Sequence, residues 1–228
     1  MSAAEPPPAR AKLWDGPTRL FHWSLVVLIL VAWLSAGEQM AVHKIAGYAV
    51  IGLVVFRVYW GLVGSSTARF SSFVRGPATV AKYVSTLGRR DTDKHAGHNP
   101  LGGLSVMALI LLILVQAGLG LFAVDIDGIE SGPLSNYVDF DTGRALAEAH
   151  ELTFRLLQGL VVLHLIAIGY YLIWKRQNLI GAMITGWQTF SKPPSGLRFA
   201  PVWRVVIGVL IAAGVAYLIS RGLKLPGF

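Results

Sequence analysis

The apolar positions of this chain neither alternate nor keep to one helical face; they run on. Five stretches, near residues 18–36, 43–64, 101–124, 150–174 and 202–220, are almost continuously apolar. At a helical rise of about 1.5 Å per residue each is long enough to cross the ~30 Å hydrocarbon layer of a bilayer. A backbone in lipid must satisfy its own hydrogen bonds, so the pattern predicts five membrane helices and an all-α integral membrane fold. Residues 1–12, "MSAAEPPPARAK", are Pro/Ala-rich and are expected to be disordered. Residues 191–228 read as a linker and the fifth helix.

Local signals sharpen the ends. In "WDGPTRLFHW" Asp15 or Thr18 can cap the first helix, and Pro17 suits its first turn. Asn99 and Pro100 make the same cap-and-proline start for the third. "GPATVAKYVSTLG" (76–88) is expected to be a short interfacial helix, with Lys82 outward and Val80, Tyr83 and Val84 toward lipid. The first apolar run is long for a signal-peptide core, so it is read as a retained helix.

Composition agrees: 54% of residues are hydrophobic and only 14% charged, too apolar for an ordinary soluble domain. There is no cysteine, which removes disulfides, thiolate metal sites, iron–sulfur clusters and covalent haem attachment together. The net charge of +8 is sorted by side rather than gathered into a nucleic-acid patch. Arg10, Lys12 and Arg19 lie at the N-terminus, up to the start of the first span; Arg69, Arg75, Lys82, Arg89, Arg90 and Lys94 follow the second; Lys175, Arg176, Lys192 and Arg198 follow the fourth. The opposite side carries Glu38, and then Asp125, Asp127, Glu130, Asp139, Asp141 and Glu148 against Arg144 alone. By the positive-inside rule the N-terminus is cytoplasmic and the acidic loop external. Five spans put the C-terminus outside too, where Arg221 and Lys224 run against the rule.

Within this frame the histidines stand out, because an ionisable residue in a membrane helix faces protein or cofactor rather than lipid. His150 and His164 are 14 residues apart, so they lie within about 40° of one helical face and about 21 Å apart along the axis. Two imidazoles so separated cannot share a metal, but each can bind its own. The topology places His22 near the inner end of the first span and His43 at the outer end of the second. His150 falls at the outer end of the fourth and His164 in its inner half. By depth they sort into two pairs, His22 with His164 and His43 with His150. This arrangement suits two haem b groups, each between two imidazoles, in a four-helix bundle. The competing reading of any single membrane histidine is an interhelical hydrogen bonder.

Other residues fit around this pattern. Arg57, 14 residues after His43 on nearly the same face, requires an anion, and a propionate of the inner haem would serve. Arg19 and Arg155 either do the same at the inner and outer haems or snorkel to headgroups. Gly47 either admits a porphyrin against the backbone or serves helix packing. His98 either belongs to the helix cap or meets a propionate or a quinone headgroup, and His95 is expected to be solvated. The third span, with Gln116 and several glycines, is read as a packing wall.

"LWDGPTRLFHW", "HKIAGYAVIGLVVFRVYWGLVGS", "RFSSFVRGP", "GHNPLGGLSVMALILLILVQAGLGLF" and "HELTFRLLQGLVVLHLIAIGYY" together resemble the bacterial cytochrome b561 family, which includes the b-type cytochrome subunits of nickel–iron hydrogenases. The resemblance covers roughly residues 13–190. It implies a four-helix membrane core with two haem b groups, whose axial ligands fall on His22, His43, His150 and His164. It also implies electron transfer across a bacterial inner membrane between a periplasmic partner and the quinone pool. That partner would be a c-type cytochrome, or a dehydrogenase or hydrogenase subunit; the acidic outer loop either steers a positively charged donor or is only the charge-sorted loop that topology requires. The fifth span lies outside that core. Some members oxidise superoxide with quinone unaided, and that alternative stands, although the acidic loop would repel an anion. A haem-free anchor or transporter is a reading of another class; it predicts repeats or broken helices, and neither is present.

Overall fold

A computed structural model describes residues 9–90, 95–127, 129–192 and 194–224. Five helices in it are long and apolar enough to span a membrane: α1 (Gly16–Ser35), α2 (Met40–Val63), α5 (Pro100–Phe122), α6 (Phe140–Ile173) and α8 (Val202–Ser220). Short α3 (Phe70–Phe73) and α4 (Pro77–Val84) lie between α2 and α5, and α7 (Leu179–Thr185) follows α6. The side holding the N-terminal segment and α3, α4 and α7 carries the excess of Lys and Arg and is here the basic side. The other carries the carboxylate-rich loop 123–139 and is the acidic side.

Helix starts follow the cap chemistry. The Asp15 carboxylate accepts the Thr18 amide at 2.8 Å, and Asn99 accepts the Gly102 amide at 2.7 Å. Asp139 accepts the amide of Thr142 at 2.9 Å and opens α6 there. The fourth span therefore begins ten residues before His150, not at it. The helix dipole and cap set this start, whereas hydropathy detects only the lipid-depth part. α6 is 34 residues long, and its first turns carry the charged Asp141, Arg144 and Glu148.

Helices α1, α2, α5 and α6 form the four-helix bundle. Its centre is a layer of Val50 and Val54 from α2, Ile110 and Ile113 from α5, and Leu157 from α6. Heptads run through this layer: His43, Val50 and Arg57 on α2, and His150, Leu157 and His164 on α6. Seven residues turn a helix by nearly two full turns, so each trio shares a face. Large apolar side chains cover the outside, with Leu34, Ile173 and Val202 each 76% exposed, as a lipid-facing surface requires.

α8 packs antiparallel on α2 through small residues. Gly52 faces Ala212 and Ala216, and Gly208 lies under Tyr59 and Phe56. The chain leading into it is tied down as well. The Ser66 amide donates to the Arg198 carbonyl at 2.9 Å, the Ala200 amide to Ser65 Oγ at 3.1 Å, and Arg204 to the Val63 carbonyl at 2.7 Å. The fifth helix is thus part of the body rather than an appendage.

Two expectations need correction. Residues 9–12 are not disordered: Ala9–Lys12 form strand β1, antiparallel to β2 (Trp187–Phe190), with Ala9 opposite Phe190 and Lys12 opposite Trp187. Non-local pairing supplied the hydrogen bonds that local composition did not reveal. Residues 1–8 of that segment lie outside the described residues. Nor does Tyr83 of α4 face lipid; its hydroxyl pairs with that of Tyr171 at 2.7 Å, turning α4 onto α6. Lys175, also buried, donates to the Thr86 carbonyl at 3.3 Å and to the Arg89 carbonyl, holding the end of the same segment.

A Cβ at Gly208 would lie 2.7 Å from a Tyr59 ring carbon, whereas one at Gly214 meets nothing within 4 Å. Gly208→Leu is therefore expected to destabilise the chain by about 1–3 kcal/mol through overpacking, and Gly214→Leu to be neutral. Thermal unfolding in detergent checks this, and equal midpoints for the two variants would refute the close α2–α8 contact.

Candidate functional site

The heptads deliver two imidazole clusters at opposite ends of the bundle. On the acidic side, His43 of α2 and His150 of α6 face each other with ring centroids 6.1 Å apart. They line a largely apolar cavity of about 330 Å³, with Ile29, Trp33, Gly47, Val50, Ile113 and Phe154 among its walls. A Cβ on Gly47 would meet nothing within 4 Å, so this glycine opens onto the cavity rather than serving a helix contact.

Carbonyls set both tautomers. His43 Nδ1 donates to the Ala32 carbonyl at 2.7 Å, and His150 Nδ1 to the Gln116 carbonyl at 2.8 Å. A carbonyl can only accept, so each Nδ1 carries the proton and each Nε2 keeps its lone pair. That is how metal-binding histidines are oriented. The third span is accordingly more than a packing wall. The Gln116 side-chain amide lies 3.2 Å from His150 Nε2, and its oxygen accepts from Thr153 Oγ1 at 2.5 Å. Gly120, one turn on, leaves room for the His150 ring, since a Cβ there would stand 2.8 Å from Cε1. A polar residue inside an apolar run was the sequence signal for Gln116; Gly120 had none.

On the basic side, four buried side-chain polar atoms among the described residues have no hydrogen-bond partner: Thr18 Oγ1, His22 Nδ1, Arg57 Nη1 and His98 Nδ1. They gather in one place. Thr18 and His22 are one turn apart on α1, and His98 lies within electrostatic reach of Arg57, His164 and His22. Its ring sits between Trp14, at 4.8 Å, and Phe73, at 4.6 Å. Burial first, then the Arg57 charge and the two neighbouring imidazoles, push the His98 pKa down to about 3, so it is neutral at physiological pH.

Arg57 is only 3% exposed. Its guanidinium lies over the Phe70 ring at 4.8 Å. Asp15 is near, but its two oxygens already accept from the Thr18 amide and from Trp60 Nε1 at 3.1 Å. A buried guanidinium in this position still calls for an anion.

The remaining candidates separate. Arg19 donates to the carbonyls of Met183, at 3.3 Å, and of Ile184, so it caps the C-terminal end of α7 instead of reaching the basic-side cluster. Arg155 is 69% exposed and pairs with Glu151 one turn away at 2.5 Å, which keeps it out of the His43–His150 gap. Of the two roles open to each, haem-anion binding or snorkelling to headgroups, the structure shows neither directly; both are engaged by local partners. His95 is exposed, edge-on to Tyr83. Lys44, beside His43, is paired with Glu130 at 2.7 Å.

The residues present fit haem. A metal held between two imidazoles by bonds of about 2 Å sets the ring centroids about 6 Å apart, close to the 6.1 Å observed for His43 and His150. The cavity is apolar and falls within the usual range for a bound cofactor. The unpartnered donors around Arg57 match carboxylate side groups.

Comparison with known proteins agrees. The family model described as prokaryotic cytochrome b561 matches residues 13–186. The chain is 26% identical over 214 residues to a probable Ni/Fe-hydrogenase B-type cytochrome subunit of Azotobacter chroococcum mcd 1, covering 78% of this chain and 88% of that protein. It is 25% identical to the corresponding protein of Azotobacter vinelandii, with the same coverage. It is 24% identical to that of Rhizobium leguminosarum bv. viciae, covering 78% and 89%. No solved structure matches significantly. The family match spans three quarters of the chain, including all four paired histidines, and the chain therefore belongs to the prokaryotic cytochrome b561 family: it is a membrane b-type cytochrome that works in electron transfer.

Proposed function

We propose that the chain carries two haem b groups, one between His43 and His150 and one between His22 and His164, and relays electrons between a partner on the acidic side and quinone on the basic side. The observation that carries this reading is the pairing itself: two histidines on one face of α6, each met by a histidine from a different helix. When bound, haem supplies reversible one-electron chemistry at its iron.

The chain's own residues do the rest. The Ala32 and Gln116 carbonyls hold the acidic-side imidazoles with Nε2 unprotonated, and the Gln116 amide, which donates to His150 Nε2 here, must turn away for that nitrogen to ligate. Arg57 and His98 take the carboxylate side groups of the basic-side haem, which gives the buried guanidinium its anion. Between the pairs, the Val50, Val54, Ile110, Ile113 and Leu157 layer excludes water, so ions cannot follow the electron. Along α6 the two sites stand about 21 Å apart.

The basic side is cytoplasmic by the charge rule, in a bacterial inner membrane. Quinone reacts near His98 and Arg57, where the basic-side site approaches the headgroup level. The acidic loop steers a positively charged periplasmic donor, either a c-type cytochrome or a catalytic redox subunit like those implied by the relatives' names.

Purified protein should show b-type bands on dithionite reduction and two haems per chain by pyridine haemochrome. His43→Ala or His150→Ala is expected to lose one haem and keep the other; His22→Ala or His164→Ala should lose the complementary one. A folded single variant that retains both would sink the ligand assignment. Arg57→Leu keeps all four histidines, yet removes a cation that disfavours the oxidised haem. It should lower one of the two midpoint potentials, by on the order of tens of millivolts, in a redox titration. Unchanged potentials would detach Arg57 from the site.

A further inference from the structure

The acidic side holds one conspicuous exception to its charge. Where the start of α2 meets the end of α8, a polar groove of about 760 Å³ opens, walled on its third side by the loop around Ser131–Tyr137. Ala41, Lys44, Ile45 and Tyr48 contribute one face of α2, and Arg221 and Lys224 follow the end of α8. We propose that this groove binds the phosphate headgroup of an anionic phospholipid from the leaflet on the acidic side.

Charge is the first argument. Three cations line the groove, and among the described residues only Lys44 has a carboxylate partner, Glu130. Arg221 and Lys224 are exposed, and neither contacts a carboxylate of the described residues. Cations on the side that topology otherwise keeps acidic are out of place unless something anionic meets them. Each such cation near a membrane surface adds to the attraction for anionic lipid. Helix-dipole compensation at the end of α8 accounts for a cation there; it does not account for Lys44 converging from α2, or for the open volume between them.

Depth and chemistry supply the second. The groove sits at the ends of two membrane spans, which is headgroup level. Ser131, Asn136 and Ser220 add polar atoms suited to phosphate oxygens. Tyr48 and Tyr137 stand at the boundary that tyrosine favours. Tyr137 braces the rim by donating to the Gly222 carbonyl at 3.3 Å. Ile45, 66% exposed, and Tyr217, 53% exposed, offer apolar surface on the same two helices for acyl chains. Polar headgroup contacts above and bare apolar helix below fit a lipid better than a free ion. Two cations without a carboxylate partner among the described residues favour a net negative headgroup over a zwitterionic one.

The test is native mass spectrometry of the full chain, purified with its haem and equilibrated with phosphatidylglycerol or phosphatidylcholine in detergent. The wild type should retain phosphatidylglycerol preferentially. The Arg221→Gln/Lys224→Gln double variant should retain about tenfold less, with an unchanged visible spectrum. Arg75→Gln/Lys82→Gln, which removes two basic-side charges, should retain as much as the wild type. Equal retention of the two lipids by the wild type overturns the proposal without relying on any variant, as does undiminished retention by the double variant. Displacement of phosphatidylglycerol by millimolar inorganic phosphate would mark a small-anion site and overturn the lipid assignment.

Discussion

Everything in this molecule turns on the penalty for placing ionisable groups in an apolar bundle. Arg57 and the four paired histidines sit where water does not reach freely, and lipid offers them nothing. A charge or lone pair in that setting must find a protein partner or a ligand. On the acidic side protein carbonyls satisfy half of each imidazole and leave the other half to the cavity. On the basic side the polar atoms that protein leaves unsatisfied collect around one guanidinium. Among the described residues the buried polar atoms left without a partner lie at the basic end, outside the apolar layer.

That layer keeps the two ends of the bundle apart. Leu157 lies seven residues from each histidine of α6, and Val50 lies seven from both His43 and Arg57. The same heptad that keeps these groups on one face also inserts an apolar plug midway. A membrane electron carrier needs this separation, because electrons can cross a thin apolar layer that protons and ions cannot. The fifth helix adds to the body by a different device: Gly52, Gly208, Ala212 and Ala216 let α2 and α8 come close enough for dispersion forces to hold them in lipid.

Local partners explain where residue-by-residue expectation and the folded chain part. Arg19 and Arg155 had the right charge and nearly the right depth, but nearer acceptors took them: the end of α7 for one, Glu151 for the other. Gln116 went the opposite way, from the wall to direct contact with His150, because the rotation of α5 turns that one polar side inward. Ala9–Lys12 became a strand because its partner lies nearly 180 residues along the chain, beyond the reach of composition.

The sequence by itself determined the number of spans, their alternating direction, the sorting of charge between the two sides, and the residues too polar to face lipid. Hydropathy, helical repeat and loop charge are properties of short segments, so they survive without coordinates. Even the depth pairing of the histidines followed from them, since rise per residue converts sequence position into height. Only the tertiary structure decided which ring nitrogens are occupied, which arginine is left without an anion, and where α8 lies. It alone also decided that cations from α2 and α8 share one groove. Those outcomes depend on how each helix is rotated about its axis and pressed against its neighbours, and no single segment carries that information.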